Sequence, residues 1–98
     1  MYDIIFVGKA AKENGKIIGA GLEPQVTRIL KTVMKNPYEQ SQGFEKLVGD
    51  NKGSFSRRIN QKHRFVYQIL PNTTEARDKN GELYEGIVKV SRMWTHYE

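Results

Sequence analysis

The chain has no cysteine. That removes disulfides, thiolate nucleophiles and cysteine-ligated zinc together. Histidine is nearly as scarce. The two present, His63 and His96, lack the spacing of an HExxH helix, so no metal centre and no cofactor are expected. There is no long hydrophobic run. The opening stretch MYDIIFVGKA holds about five apolar residues before Gly8 and Lys9, too few for a membrane-spanning helix or a signal segment. It reads as a first strand, and the cytoplasm is the expected location. Acidic residues are outnumbered, 11 against 16 basic ones, for a net charge of +5. Such a surface favours an acidic partner, nucleic acid or acidic protein, although many small basic domains bind no nucleic acid.

What is present fits one soluble domain spanning residues 1–98. Hydrophobic residues make up 38% and charged residues 28% of the chain, a balance found in folded domains rather than disordered ones. Tyr2 to Val7 is rich in β-branched and aromatic residues and is bounded by Gly8, as a strand would be. Lys9 to Ala20 has partly helical composition, with Gly15 and Gly19 each costing about 1 kcal/mol relative to alanine. The next segment is clearer. Leu22, Val26, Ile29, Leu30, Val33 and Met34 follow the spacing i, i+4, i+7, i+8, i+11, i+12, one stripe of a helix. Pro24 suits its first turn and Pro37 stops it at Asn36. Arg28, Lys31 and Lys35 lie off that stripe, on what reads as a solvated face.

Residues Pro37 to Lys52 read as a polar linker around one short apolar piece, FEKLVG. Two strand-like runs follow, Ser54 to Ile59 and Arg64 to Leu70, with NQKH as the turn between them. Residues 71–86 carry Asn80-Gly81, a strong turn signal, and read as an extended hairpin loop. Ile87 to Met93 is the last clear strand. The expected fold is therefore α+β. Two N-terminal helices pack on one face of an antiparallel sheet of about four to five strands, and the other face stays open. An open basic sheet face is a place to lay single-stranded RNA.

The run GSFSRRINQKHRFVYQI concentrates Arg57, Arg58, Lys62, His63 and Arg64 among strand formers, just after Lys52. Together with FEKL upstream and MWTHYE at the end, it resembles the YoeB/Txe toxins of the RelE/ParE superfamily, from bacterial type II toxin–antitoxin systems. The matching elements are the glutamate before a leucine in FEKL, the glycine ahead of SRRI, then HR.VY, and the terminal His-Tyr pair. The resemblance covers Pro37 to Ile69 and the C-terminal strand. It implies a compact microbial-RNase-like fold and a metal-independent endoribonuclease that cuts mRNA in the ribosomal A site. It also implies silencing by a cognate YefM/Phd-type antitoxin, and homodimers occur in the family.

By position in those motifs, the implied catalytic residues are Glu45, Arg64, His96 and Tyr97, with Arg58 in support. Arg57, Lys46, Lys52 and His63 are further candidates for contacting RNA or phosphate. The chemistry suits these residue types. Cleavage without metal needs a base for the 2′-OH proton, an acid for the leaving 5′-oxygen and positive charge for the developing phosphorane. Glu45 is the expected base. His96, with a reference pKa of about 6.5, is the natural acid, and Arg64 is the bidentate phosphate clamp. Tyr97 would stack on or orient a base.

Taken singly, each residue also has a plain structural reading. Glu45 is a surface carboxylate, Arg58 half of a surface ion pair, His96 an exposed terminal residue, and Tyr97 and Trp94 core aromatics. Arg57 and Arg58 are adjacent on a strand and point to opposite faces, so only one of them can serve an open-face site. Val48 stands where YoeB-type chains commonly carry a lysine, with Lys46 and Lys52 as the nearby substitutes, and the 71–86 hairpin is longer than the family leads one to expect. Two other functions fit the same composition. One is a ParE-like gyrase poison, which would lack the catalytic set; the other is a non-catalytic RNA-binding module.

Overall fold

The computed structural model describes residues 1–94. The first strand, β1 (Asp3–Phe6), runs into two helices, α1 (Lys9–Gly19) and α2 (Glu23–Lys35). A two-residue strand β2 (Glu45–Lys46) and a short 3₁₀ turn (Gly49–Asn51) follow, then β3 (Phe55–Arg58), β4 (Arg64–Leu70) and β5 (Ile87–Arg92).

The apolar stripe places α2, whereas α1 buries a carboxylate between two apolar residues. On α1 the buried positions are Ala10, Glu13 and Ile17, and on α2 they are Val26, Ile29 and Val33. Pro24 sits in the first turn of α2, and the helix ends at Lys35, ahead of Pro37. Arg28, Lys31 and Lys35 are exposed, as their place off the stripe requires.

The five strands form one sheet in the order β1-β5-β4-β3-β2. Pairing from β2 through β5 is antiparallel. The exception is β1, which lies parallel to β5 with Asp3 opposite Ile87 and Phe6 opposite Val90. The antiparallel expectation fails there because β1 pairs with the strand most distant in sequence, and pairing between consecutive strands says nothing about that contact. The strand β2 lies inside what reads as a linker; its two residues are too few for any periodicity to show.

Alternation along the strands divides the sheet into two faces. Phe65, Tyr67, Val88 and Val90 turn toward the helices and join Ala10, Ile17, Val26, Ile29 and Val33 in the core, all nearly or fully buried. Burying each large apolar side chain contributes about 1.5–3 kcal/mol. Gly86 admits Leu70 and Tyr2 close to the start of β5: a Cβ there would lie 2.8 Å from the Leu70 carbonyl oxygen and 3.0 Å from the Tyr2 ring.

Residues 71–86 form an extended hairpin loop. Arg77 bridges Leu83, Gly81 turns with φ 82°, and the Asn72 amide donates to the carbonyls of Ala76 (2.9 Å) and Tyr84 (3.1 Å). Among the described residues, no helix is long and apolar enough to cross a membrane.

Candidate active site

The β3–β4 hairpin sets the site. Arg58 pairs with Arg64 at its closed end, Arg57 with Phe65, and Ser56 with Val66. The turn is built by Asn60, whose Oδ1 accepts from the backbone N–H groups of Lys62 (2.9 Å) and His63 (2.7 Å). Asparagine favours such turns because its side chain caps the backbone two or three residues on. On the other side, β2 places Glu45 opposite Ser56. Glu45, Ser56, Arg58 and Arg64 thus start from the sheet face turned away from Phe65 and Tyr67.

Arg64 is the centre of this group and only 9% exposed. Its Nε donates to Ser56 Oγ at 2.9 Å, its Nη2 donates to the Gly43 carbonyl, and the same Nη2 lies 3.9 Å from Glu45 Oε1. A guanidinium has five N–H donors in a planar fork. Ser56 and Gly43 fix the plane, and Glu45 is close enough for charge attraction but not for a hydrogen bond. The Glu45 side chain is 61% exposed, so the pair stabilises the fold by no more than about 1 kcal/mol. It leaves a carboxylate beside an oriented guanidinium at the surface.

Gly43 is held in place from beneath. Gln42 and Gly43 adopt φ of 55° and 68°, and the Arg58 N–H donates to the Gln42 carbonyl at 2.7 Å. A Cβ on Gly43 would lie 3.1 Å from Arg58 Cβ, so the close approach as well as the positive φ calls for glycine. Arg58 is exposed and lines a cavity of about 240 Å³ with Gln25, Arg28, Gln42 and Gly43.

Arg57 does not contact this face, and its expected role as a phosphate ligand is corrected. It is fully buried on the helix side. Its Nε donates to Tyr67 Oη (3.1 Å), Nη1 to the Ser41 carbonyl (2.9 Å), and Nη2 to the carbonyls of Pro37 (3.1 Å) and Glu39 (2.8 Å). The Phe44 ring lies 4.8 Å from its guanidinium carbon. With its donors committed to Tyr67 and the 37–44 loop, it has none to offer a ligand. Tyr67 in turn donates to the Pro37 carbonyl at 2.6 Å. Burial pushes the Tyr67 hydroxyl above its ordinary pKa, while the Arg57 charge and hydrogen bond pull the other way.

His63 is likewise corrected as a phosphate contact. It is 6% exposed and stacked on Trp94, with ring centroids 3.9 Å apart and planes at 19°. Trp94 itself is half-buried against the core. Lys46 and Lys52 are exposed, but they line a separate groove of about 530 Å³ with Val48 and Phe55. Val48 is 82% exposed there. His96 and Tyr97 lie outside the described residues. Among those described, no group of three or more histidines and carboxylates could hold a metal.

Sequence reasoning missed Ser56 and the Gly43 carbonyl, the two acceptors that orient Arg64. A serine in a strand carries no chemical signature. The one available signal was period two, which places residue 56 on the same face as residue 58.

Residues 17–77 match the family model for the YoeB-like toxin of bacterial type II toxin–antitoxin systems. The chain belongs to that family. Solved structures agree in fold. A YoeB/ParE toxin from Agrobacterium tumefaciens superposes with a TM-score of 0.76 at 21% identity, over 97% of this chain and 99% of its own. The toxin in a heterotetrameric YoeB-YefM complex from Staphylococcus aureus gives 0.69 at 25% identity, over 99% of each. YafQ from E. coli gives 0.68 at 13% identity, over 98% of this chain and 94% of its own. No curated protein matches the sequence. The YoeB-like match ends at residue 77, short of β5, whereas the structural likeness runs through it.

Proposed function

We propose that this YoeB-like toxin is a metal-independent endoribonuclease that cuts mRNA on the ribosome. The observation that supports it most is the oriented Arg64 guanidinium on Ser56 and Gly43, 3.9 Å from the Glu45 carboxylate. Arg64 holds the scissile phosphate through its remaining N–H donors and stabilises charge as the phosphorane develops. Glu45 takes the 2′-OH proton, the 2′-oxygen attacks phosphorus, and the bond from phosphorus to the 5′-oxygen breaks. His96 gives its proton to that leaving oxygen, which yields a 2′,3′-cyclic phosphate and a free 5′-OH. Tyr97 stacks against a neighbouring base. Arg58 adds positive charge beside the phosphate path, and Lys46 and Lys52 do so further out.

An active nuclease of this kind requires an inhibitor in its own cell. A YefM/Phd-type antitoxin with an acidic segment fits a chain of net charge +5, ordering as it binds. A YoeB dimer is known from Staphylococcus aureus, and the same association is proposed for this chain.

Cleavage of a defined mRNA with and without programmed 70S ribosomes tests the reading. Wild type should cut only with ribosomes and in the presence of chelator. Glu45→Ala and His96→Ala should each lower the rate about 10²–10⁴-fold, the usual contribution of a general acid or base. Tight ribosome binding without any product would overturn the assignment, as would full activity in both variants.

A further inference from the structure

The cavity of about 240 Å³ beside the candidate active site brings together two cations with no partner of their own. Arg28 lines it from α2 and Arg58 from the end of β3, and both are exposed. Among the described residues, neither guanidinium is in an ion pair or donates a hydrogen bond. Each therefore keeps its five N–H donors. Ile29 and Ile59, 1% and 4% exposed, give the cavity an apolar side. Gly43 gives it a wall in common with the active site, because the Gly43 carbonyl accepts from Arg64.

Two glutamines line it as well, and they differ. Gln42 Nε2 is engaged, donating to Thr32 Oγ1 at 3.1 Å. Gln25 Oε1 is buried, yet no described residue donates to it. A buried acceptor without a donor is costly, and rare enough in folded proteins to call for a reason. The terminal torsion of glutamine is soft, so this oxygen can turn to a donor that enters the cavity. Gln25 and Arg28 stand three residues apart on α2, neighbours on one helix face.

The lining therefore asks for two things at once, acceptors for a guanidinium and a donor for an amide oxygen. Guanine supplies both. Its O6 and N7 are paired acceptors that a guanidinium fork matches, and its N1–H and N2–H₂ donate from the adjoining edge. Adenine puts a donor where guanine has O6, cytosine has no N7, and uracil has no exocyclic amine. Arginine also anchors peptide interfaces. The carboxylates of an acidic peptide only accept, however, and would leave the Gln25 oxygen as it is.

We propose that this cavity reads a guanine base flanking the scissile phosphate, with Arg28 on O6 and N7 and Gln25 Oε1 on the N1–H and N2–H₂ donors. Arg58 stays beside the phosphate path, and the ring lies against Ile29 and Ile59. The proposal rests on the nuclease reading above and adds the base that the toxin selects.

The test measures kcat/KM for ribosome-dependent cleavage of short mRNAs carrying guanine, adenine or 7-deazaguanine at each position of the A-site codon in turn. At one position wild type should prefer guanine to adenine by about 5–150-fold, the range for one bidentate base contact, and 7-deazaguanine should fall between them. Gln25→Leu removes the acceptor, and Arg28→Lys keeps the charge but loses the fork. Thermal melts verify that both variants fold. Each should lower cleavage at guanine and leave cleavage at adenine as in wild type. Wild type that cuts guanine and adenine equally at every position would overturn the base-reading proposal alone, since the cutting leaves the nuclease reading intact. A guanine preference that survives in both variants would overturn it too, as would an equal loss on all bases. Weakened inhibition by the YefM-type antitoxin with the base preference unchanged would overturn it in favour of a peptide site. Wild type that cuts no mRNA on ribosomes would overturn both readings.

Discussion

Replacing Arg57 by methionine should destabilise the fold by about 3 kcal/mol, and the size follows from its partners. Four hydrogen bonds at 2.8–3.1 Å are lost, each worth about 1.5–3 kcal/mol when one partner is charged. Two effects offset that gross sum. The guanidinium no longer has to leave water, a penalty of several kcal/mol. The stranded carbonyls also keep second partners: Pro37 accepts from Tyr67 Oη, Glu39 from the Ser41 N–H and Ser41 from the Phe44 N–H. Methionine refills much of the volume under Phe44. A net loss near 3 kcal/mol is a large part of the 5–15 kcal/mol typical of a domain, and it should lower Tm by about 12–24 °C. Urea titration at unchanged m-value measures it directly. The loop 37–44 also supplies the Gly43 carbonyl to Arg64, so cleavage should fall as well. A midpoint shift worth less than about 1 kcal/mol would mean that the Arg57 network does not hold the loop, and the structural role given to it would be wrong.

Tyr67 makes a prediction in alkali. Its folded pKa is raised by burial, so the native state keeps a proton that the unfolded chain releases. This contribution is fully present below the reference value of about 10 and is lost as pH rises through the folded value. Tyr67→Phe should flatten the fall in stability above that pH, and an identical slope in both proteins would reject it. Glu13→Ala leaves the Met93 N–H without its buried acceptor and Arg92 without its partner. It should cost about 3–5 kcal/mol in urea titration, and a loss under about 1 kcal/mol would show that the pair adds nothing to the join between α1 and β5.

Parts of the molecule were readable because the responsible forces are local. The α2 stripe and its two prolines gave a helix ending at Lys35, one residue short of the expected stop at Asn36. The Arg64–Leu70 strand formed over its expected span, since hairpin pairing joins neighbours in sequence. Arg57 and Arg58 show the limit. Alternation required them to part company, yet nothing local says which face will be covered, and that choice depends on where the 37–44 loop returns. His63 had the same difficulty, because its burial depends on Trp94, thirty-one residues away. Glu45 and Arg64 needed β2, two residues long, to bring them together. The union of β1 with β5 is the least local of all.

That union has a consequence for the timing of activity. The strand β5 is the last of the described strands to leave the ribosome, yet it lies inside the sheet, with β1 on one side and β4 on the other. A nascent chain that stops before Ile87 leaves β1 without a neighbour and β4 with an open edge, so the core around Val88 and Val90 has nothing to close on. Sheets assembled from such distant segments also form slowly. The folded surface of the toxin is therefore complete only once Arg92 has been made, and that delay gives an antitoxin time to arrive.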